Sequence, residues 1–351
     1  MSLTSIDSPM LRRLQLLACY LNRSPICSGP PPTAIIATTH RCNMSCKMCI
    51  RAIRKFDGPN MDESLFRKII DEGVPYLRYI SLDGPGETTI NPDAFRMIRY
   101  AKSKGVRVML STNATLLDEC MIDSIIDSGL DLIIFSVNGV SPDVYESIHG
   151  RPCYETVLTN IHHFLKLKRK RRAKILVVIQ MVRLPETLPQ VGAFYRMWRH
   201  VPGVDLVRVK NDVLCNEGTW RRGPGSRPLS KNPCPRLWQG PPFIETNGDV
   251  YASAGVLFKT GPVGNVTKNS LAEIWNCEPM RALRLAHIAG DISGHPECLN
   301  CCYPQPRLPL IISGFLLEPF VVGKLIPLAE RLAFWRGLPL YEKSSRNDNA
   351  N

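Results

Sequence analysis

Residues 34–49 read Ala34-Ile35-Ile36-Ala37-Thr38-Thr39-His40-Arg41-Cys42-Asn43-Met44-Ser45-Cys46-Lys47-Met48-Cys49. A short apolar, β-branched run is followed by three cysteines spaced C-x3-C-x2-C. Cysteine thiolates are the usual ligands of iron–sulfur clusters, and four of them complete the shell of a [4Fe–4S] cube. Three can therefore hold three irons and leave the fourth open to a small chelating molecule. A zinc knuckle uses the same residue type, but no fourth Cys or His follows at the spacing of a zinc site.

Outward from this loop the chain alternates. Strands are expected over Ala34–Thr39, Leu77–Leu82, Val106–Ser111, Leu132–Val137, Ile175–Val182 and Val204–Val209. Amphipathic helical stretches lie between them, at Met61–Asp71, Pro92–Lys104, Leu117–Ser128, Pro142–Ile148, Tyr154–Leu167 and Leu188–Arg199. Strand–helix alternation at this spacing argues for parallel βα units with right-handed crossovers. The fold class is therefore α/β, a partial (β/α)6 TIM-like barrel over residues 34–210. Chemistry in such barrels gathers at the C-terminal ends of the strands, and the cysteine loop follows the first strand at that end.

After residue 210 the texture changes. Arg221–Pro235 is rich in Gly, Pro and Ser and reads as a loop. Phe243-Ile244-Glu245-Thr246, then Asn247-Gly248, then Asp249-Val250-Tyr251 reads as a hairpin, for which Asn-Gly is a strong signal. Leu271–Trp275 and Met280–Ile288 look helical and precede Cys298-Leu299-Asn300-Cys301-Cys302. Residues 211–305 thus form a small α+β domain, with a 1–33 N-terminal arm and a 306–351 tail outside both domains. The apolar tail stretch Leu308–Leu328 carries Glu318 and Lys324 and is broken by Gly314, Pro319, Gly323 and Pro327, which argues against a membrane-spanning helix. A helix docking over the barrel mouth is the expectation.

The chain of 351 residues is 44% hydrophobic, enough for a full core, and holds 13 cysteines. Met1–Pro9 is polar and Leu14–Leu21 lacks a small-residue cleavage site, so the cysteines are not read as a secreted disulfide scaffold. Clustered cysteines point instead to metal binding in the cytoplasm. The formal charge of +13 is concentrated partly in Lys166–Lys174, at a helix end where cations suit the dipole. No aromatic platform accompanies that run, so nucleic acid is not an expected partner, whereas an anionic small substrate suits the balance. Cys19, Cys27, Cys120, Cys153 and Cys277 are read as buried apolar residues.

The Cys42–Cys46–Cys49 spacing, with Asn43 after the first cysteine, resembles the signature of the radical S-adenosylmethionine (SAM) superfamily. The resemblance spans residues 34 to about 305. It implies that the open iron takes the amino and carboxyl groups of SAM. Pro85-Gly86-Glu87-Thr88, one βα unit later, resembles the superfamily's glycine–glutamate motif and makes Gly86 and Glu87 candidates for the SAM amino group. Ser111-Thr112-Asn113-Ala114 is similar to the ribose-binding segment, through Asn113, and Ser136 looks like a second ribose contact. Arg151 is a candidate partner for the SAM carboxylate. The C-terminal segment resembles the auxiliary-cluster extension called SPASM, in its shortened twitch form. That implies one auxiliary [4Fe–4S] cluster held by Cys215, Cys234, Cys298 and Cys301.

The resemblance implies reductive cleavage of SAM, supplied with electrons by a donor such as flavodoxin or ferredoxin, and hydrogen abstraction from an unactivated carbon. Roughly 33 residues before the first strand look too short for a leader-binding winged helix. A small polar, sugar-like or cyclitol substrate is therefore expected, undergoing oxidation or epimerisation, with Cys302 a candidate hydrogen donor in the latter. Sugar-acid decarboxylation and maturation of a ribosomal peptide are the alternatives.

Overall fold

The computed structural model describes residues 9–52, 55–211, 232–254, 261–295, 298 and 308–316. The chain divides into two compact units. One comprises Thr33–Arg221 and Phe243–Asp249; the other comprises Met1–Pro32, Arg222–Pro242 and Val250–Asn351.

In the first unit the strands are β1 (Thr33–Ile36), β2 (Tyr79–Leu82), β3 (Arg107–Thr112), β4 (Leu132–Ser136), β5 (Leu176–Arg183) and β6 (Leu206–Asn211). Each pairs in parallel with its sequence neighbours, and β7 (Phe243–Ile244) adds a seventh parallel strand on the free side of β1. The strands read as near-continuous apolar runs because helices cover a parallel sheet. Ile36, Ile80, Leu82, Leu110, Ile133, Phe135 and Ile179 are buried. Burying each such side chain contributes about 1.5–3 kcal/mol.

The intervening helices are α2 (Glu63–Gly73), α3 (Ala94–Ser103), α4 (Glu119–Asp127), α5 (Pro142–His149), α6 (Tyr154–Lys170) and α7 (Val191–Trp198). Helix α2 shows why they form where they do. Asp62 caps it by accepting from Ser64 N, and Phe66, Ile69, Ile70 and Gly73 recur on one buried face. The expected helix Leu188–Arg199 begins as a 3-10 turn, Leu188–Gln190, in which Pro189 has no N–H to donate. The expected strand Ala34–Thr39 stops at Ile36 because the Thr38 carbonyl turns away to accept from Met61 N and Asn91 Nδ2, both at 2.9 Å. Cys120 is exposed rather than buried, since α4 turns Ile122 and Ile125 to the core and leaves position 120 on the opposite face.

Two cations of the basic run are committed within this unit. Lys168 donates to Gly203 O and Asp205 Oδ2, and Arg171 pairs with Asp123 and Asp127.

The second unit contains α1 (Pro9–Leu21), the short helix α8 (Arg236–Gln239), β9 (Gly264–Asn265), α9 (Leu271–Trp275), α10 (Glu278–Ala289) and α11 (Leu308–Leu316). The strand β8 (Asp249–Tyr251) follows the Asn247-Gly248 turn, where Gly248 has a φ of 87° and Asn247 Oδ1 accepts from Asp249 N. The core of the second unit gathers Leu16, Leu17, Tyr20, Trp238, Trp275, Met280, Leu283, Ile311 and Phe315. Arg284 is fully buried there and donates to three carbonyls, those of Leu237, Pro25 and Trp275. The tail residues Leu308–Leu316 are helical and bury Ile311 and Phe315 in this core; the tail beyond Leu316 lies outside the described residues. No helix among the described residues is long and apolar enough to cross a membrane.

Candidate active site at the three-cysteine loop

The loop after β1 is fastened in three places, all at the C-terminal ends of barrel elements. The first is at the end of β2. Arg41 O accepts from Glu87 N at 2.8 Å, and the backbone here runs so close that a Cβ on Gly86 would lie 2.2 Å from Thr39 O. Only glycine fits that approach. The constraint on Gly86 thus comes from the chain entering the cysteine loop.

The second fastening is a closed ring of side chains at the end of β3. Asn43 Nδ2 donates to Thr115 Oγ1 at 2.7 Å, Thr115 Oγ1 donates to Asn113 Oδ1 at 2.6 Å, and Asn113 Nδ2 donates to Asn43 Oδ1 at 2.9 Å. The third lies at the end of α5. Ser45 N and Lys47 N donate to the carbonyls of His149 and Ile148, which a helix C-terminus leaves without intrahelical partners. Gly150 caps the helix at φ 70°, and Arg151 Nη1 reaches back to Asn43 O at 3.0 Å.

Burial pushes the Cys46 thiol up to about 12, with Cys49 and Cys42 adding to the shift, and raises Cys42 as well. As free thiols both stay protonated near neutrality. A metal centre that displaces those protons is what makes such a half-buried thiol set useful. Three soft donors within electrostatic reach of one another suit an iron–sulfur cluster. Among the described residues no three Cys, His, Asp or Glu side chains converge on one metal-ion position. A cube, which takes one thiolate per corner, does not ask them to.

Glu87 is buried and caps the 3-10 turn Thr88–Ile90. Its Oε1 accepts from Thr89 N and Thr89 Oγ1, and its Oε2 from Asn113 N at 2.8 Å. Burial raises its pKa while these bonds oppose the rise. Ser136 stands at the end of β4, in register with Gln180, and joins none of the bonds above. The structure therefore ties Gly86, Glu87, Asn113 and Arg151 to the cysteine loop, while Ser136, on the strand next to β3, takes no part in these bonds.

Sequence spacing gave no sign of two further residues. His149 is buried, with Nδ1 3.1 Å from Cys46 Sγ and Nε2 3.2 Å from Asn138 Nδ2, and burial pushes its pKa down to about 4. Glu245, just past β7, is buried and its Oε2 makes a short contact with His40 Nε2. A histidine at a helix end and a glutamate at a hairpin carry no local signal of such partners.

In the second unit Cys234 and Cys298 are half-buried and pack against the same apolar core, as do Cys19 and Cys277. Cys215, Cys301 and Cys302 lie outside the described residues. Asn276 holds the N-terminal segment by a two-way bond: its Oδ1 accepts from Cys27 N and its Nδ2 donates to Cys27 O, both at 2.9 Å.

Residues 36–197 match the family model of the radical SAM superfamily, and residues 234–302 match that of the iron–sulfur cluster-binding domain SPASM. The two domains imply SAM, a [4Fe–4S] cluster and auxiliary iron–sulfur binding. The tungsten-containing aldehyde ferredoxin oxidoreductase cofactor-modifying protein of Pyrococcus furiosus is 38% identical over 102 residues, 28% of this chain and 29% of that one. Matches to the first curated relatives span between 29% and 41% of their length. Among solved structures, BtrN in complex with AdoMet and 2-DOIA shares the fold at TM-score 0.53 and 13% identity, over 78% of this chain and 93% of that chain. Streptococcus suis SuiB bound to precursor peptide SuiA does so at TM-score 0.57 and 13% identity, over 86% and 73%.

Proposed function

We infer, for a chain that is a radical SAM protein with a C-terminal SPASM domain, that it cleaves SAM reductively and removes hydrogen from an unactivated carbon of a small polar substrate. The observation that carries this is the half-buried three-thiol loop braced at the C-terminal ends of β2, β3 and α5. When bound, cluster and SAM together supply the electron and the 5′-deoxyadenosyl radical.

The chain's own share is holding and positioning. Cys42, Cys46 and Cys49 would hold three irons. Glu87 brings a buried carboxyl group to the side where the SAM ammonium would lie, while the Gly86 backbone keeps that turn against the loop. Asn113 and Ser136 would meet the ribose. Arg151 is anchored by one nitrogen on Asn43 O and would turn its other N–H groups to the SAM carboxylate. Cys215, Cys234, Cys298 and Cys301 would hold one auxiliary cluster, and a flavodoxin or ferredoxin would deliver electrons.

A small substrate is favoured by the fold shared with BtrN in complex with AdoMet and 2-DOIA. Epimerisation would require a hydrogen donor, for which we propose Cys302; oxidation would send the radical's electron to the auxiliary cluster. Peptide maturation is a second reading, favoured by the fold shared with peptide-bound SuiB.

The test is anaerobic incubation of the reconstituted full chain with dithionite and SAM, then with candidate sugars and cyclitols in D2O. Formation of 5′-deoxyadenosine is expected, with solvent deuterium in a recovered isomer marking epimerisation and a ketone marking oxidation. No 5′-deoxyadenosine overturns the reading.

A further inference from the structure

The contact between His149 and Cys46 has a fixed polarity, and the residue that fixes it is Asn138. Asn138 Oδ1 accepts from Val182 N at 2.7 Å, so the amide's NH2 group is the end that faces His149 Nε2 at 3.2 Å. The reverse orientation would set the NH2 against the Val182 N–H, donor against donor. An amide NH2 only donates, so Nε2 must accept, and in a neutral imidazole the proton then resides on Nδ1. That proton points at Cys46 Sγ, 3.1 Å away.

The ring has little freedom to leave this position. It is 1% exposed, and Tyr145 stacks on it at 4.1 Å between centroids with 25° between planes. The His149 carbonyl accepts from Ser45 N, one residue before the sulfur its ring addresses. Backbone and side chain of one residue thus grip the same loop.

We propose that His149 is a positioning residue that donates an N–H···S hydrogen bond to Cys46 and raises the reduction potential of the cluster held by Cys42, Cys46 and Cys49. The inference rests on the reading that this loop holds a cluster. Reduction adds negative charge to a cluster, and a hydrogen bond to a ligand sulfur stabilises the more negative state. Deleting the donor makes reduction harder. Asn138 acts one step further out, by setting the tautomer.

The test uses the anaerobically reconstituted full chain with [15N]histidine, the His149→Phe and His149→Asn variants, and the EPR signal that SAM perturbs. Phenylalanine keeps a ring to stack on Tyr145 and removes the donor. Asparagine places an amide nitrogen near the ring Nδ1 position. In the labelled wild type, pulsed EPR is expected to show a 15N coupling to the reduced cluster. That coupling should vanish in both variants, replaced in His149→Asn by one from unlabelled nitrogen. In a redox titration His149→Phe should shift to lower potential by about a tenfold change in the reduced fraction, 59 mV for one electron, while His149→Asn stays near the wild type. A wild-type cluster without 15N coupling, or a His149→Phe chain titrating with the wild type, overturns the inference. Should His149→Phe fail to fold, the labelled wild type and His149→Asn decide the matter by the coupling. If no SAM-responsive signal forms at all, the reading of the loop falls, and this inference with it.

Discussion

The backbone N–H of Asn113, just past β3, donates to Glu87 Oε2 at 2.8 Å, and both residues also bond the cysteine loop, Glu87 through its backbone and Asn113 through its side chain. The ends of β2 and β3 are thus locked to each other through one buried carboxyl group, and the same two residues hold the loop. Glu87→Gln tests that lock. A glutamine must turn its NH2 toward either Asn113 N–H or the Thr89 donors, leaving a buried donor unpaired at a cost of about 1–3 kcal/mol. The urea midpoint of the cluster-free protein is expected to fall accordingly with unchanged m, and SAM affinity of the reconstituted protein to fall as well. An unchanged midpoint would show that the carboxylate does not brace the site.

Gly86→Ala places a methyl against backbone, with Thr39 O at 2.2 Å and Arg41 O at 2.9 Å, where no side chain can yield. The expected cost is about 3 kcal/mol or more, at the upper end of overpacking effects, with a lower iron content after reconstitution. Gly261→Ala is the control, since nothing lies within 4 Å of a Cβ there. Thermal melts should separate the two clearly, and equal melting temperatures would contradict the crowding.

Arg284 holds three carbonyls from separate segments with its Nε, Nη1 and Nη2. A lysine cannot reach three acceptors in that fork. Arg284→Lys should destabilise the second unit by about 3 kcal/mol, the scale of one or two lost charge-assisted bonds. Guanidinium unfolding followed by tryptophan fluorescence reads this directly, because Trp238 and Trp275 lie in the same core. A variant with wild-type stability would refute the role.

His287 supplies a pH test. Its Nε2 is buried without a hydrogen-bond partner among the described residues, and burial, with His295 adding, pushes its pKa down to about 4. The folded value lies below the ordinary 6.5, so the unfolded chain binds the proton more readily. The stability it contributes is complete above pH 6.5 and is lost as pH falls toward 4. Melting temperature should therefore drop over that window in the wild type and drop less in His287→Phe. Parallel curves would contradict the assignment.

Much of this was legible in the residues, for identifiable reasons. Parallel strands buried on both faces announce themselves as apolar runs, so Leu132–Ser136 and its neighbours fall within a residue or two of expectation. The helix Leu271–Trp275 is marked by the capping box of Ser270 and Glu273. Cys42, Cys46 and Cys49 stand out as proposed ligands because cysteine spacing within one loop is a local property. What stayed hidden is long-range. Nothing near Pro9–Leu21 signals that Tyr20 will meet the Trp238 ring edge-on at 5.4 Å, or that Asn276 will bond the backbone of Cys27. The partnership of His149 with Cys46 spans 103 residues and exists only because α5 ends against the loop. Glu87 is singled out by its motif as a candidate, yet its engagement with Asn113 follows from packing of strand ends that no motif records.

The most direct measurement compares wild type and Cys46→Ala after anaerobic reconstitution, reading iron per chain by Mössbauer spectroscopy and 5′-deoxyadenosine after dithionite and SAM. The wild type should carry a [4Fe–4S] signal that SAM alters and should form 5′-deoxyadenosine. Cys46→Ala should lose the SAM-responsive iron and the product while keeping the auxiliary iron. Equal iron and equal product in the two proteins, or tetrahedral zinc in the wild-type loop, would contradict the account.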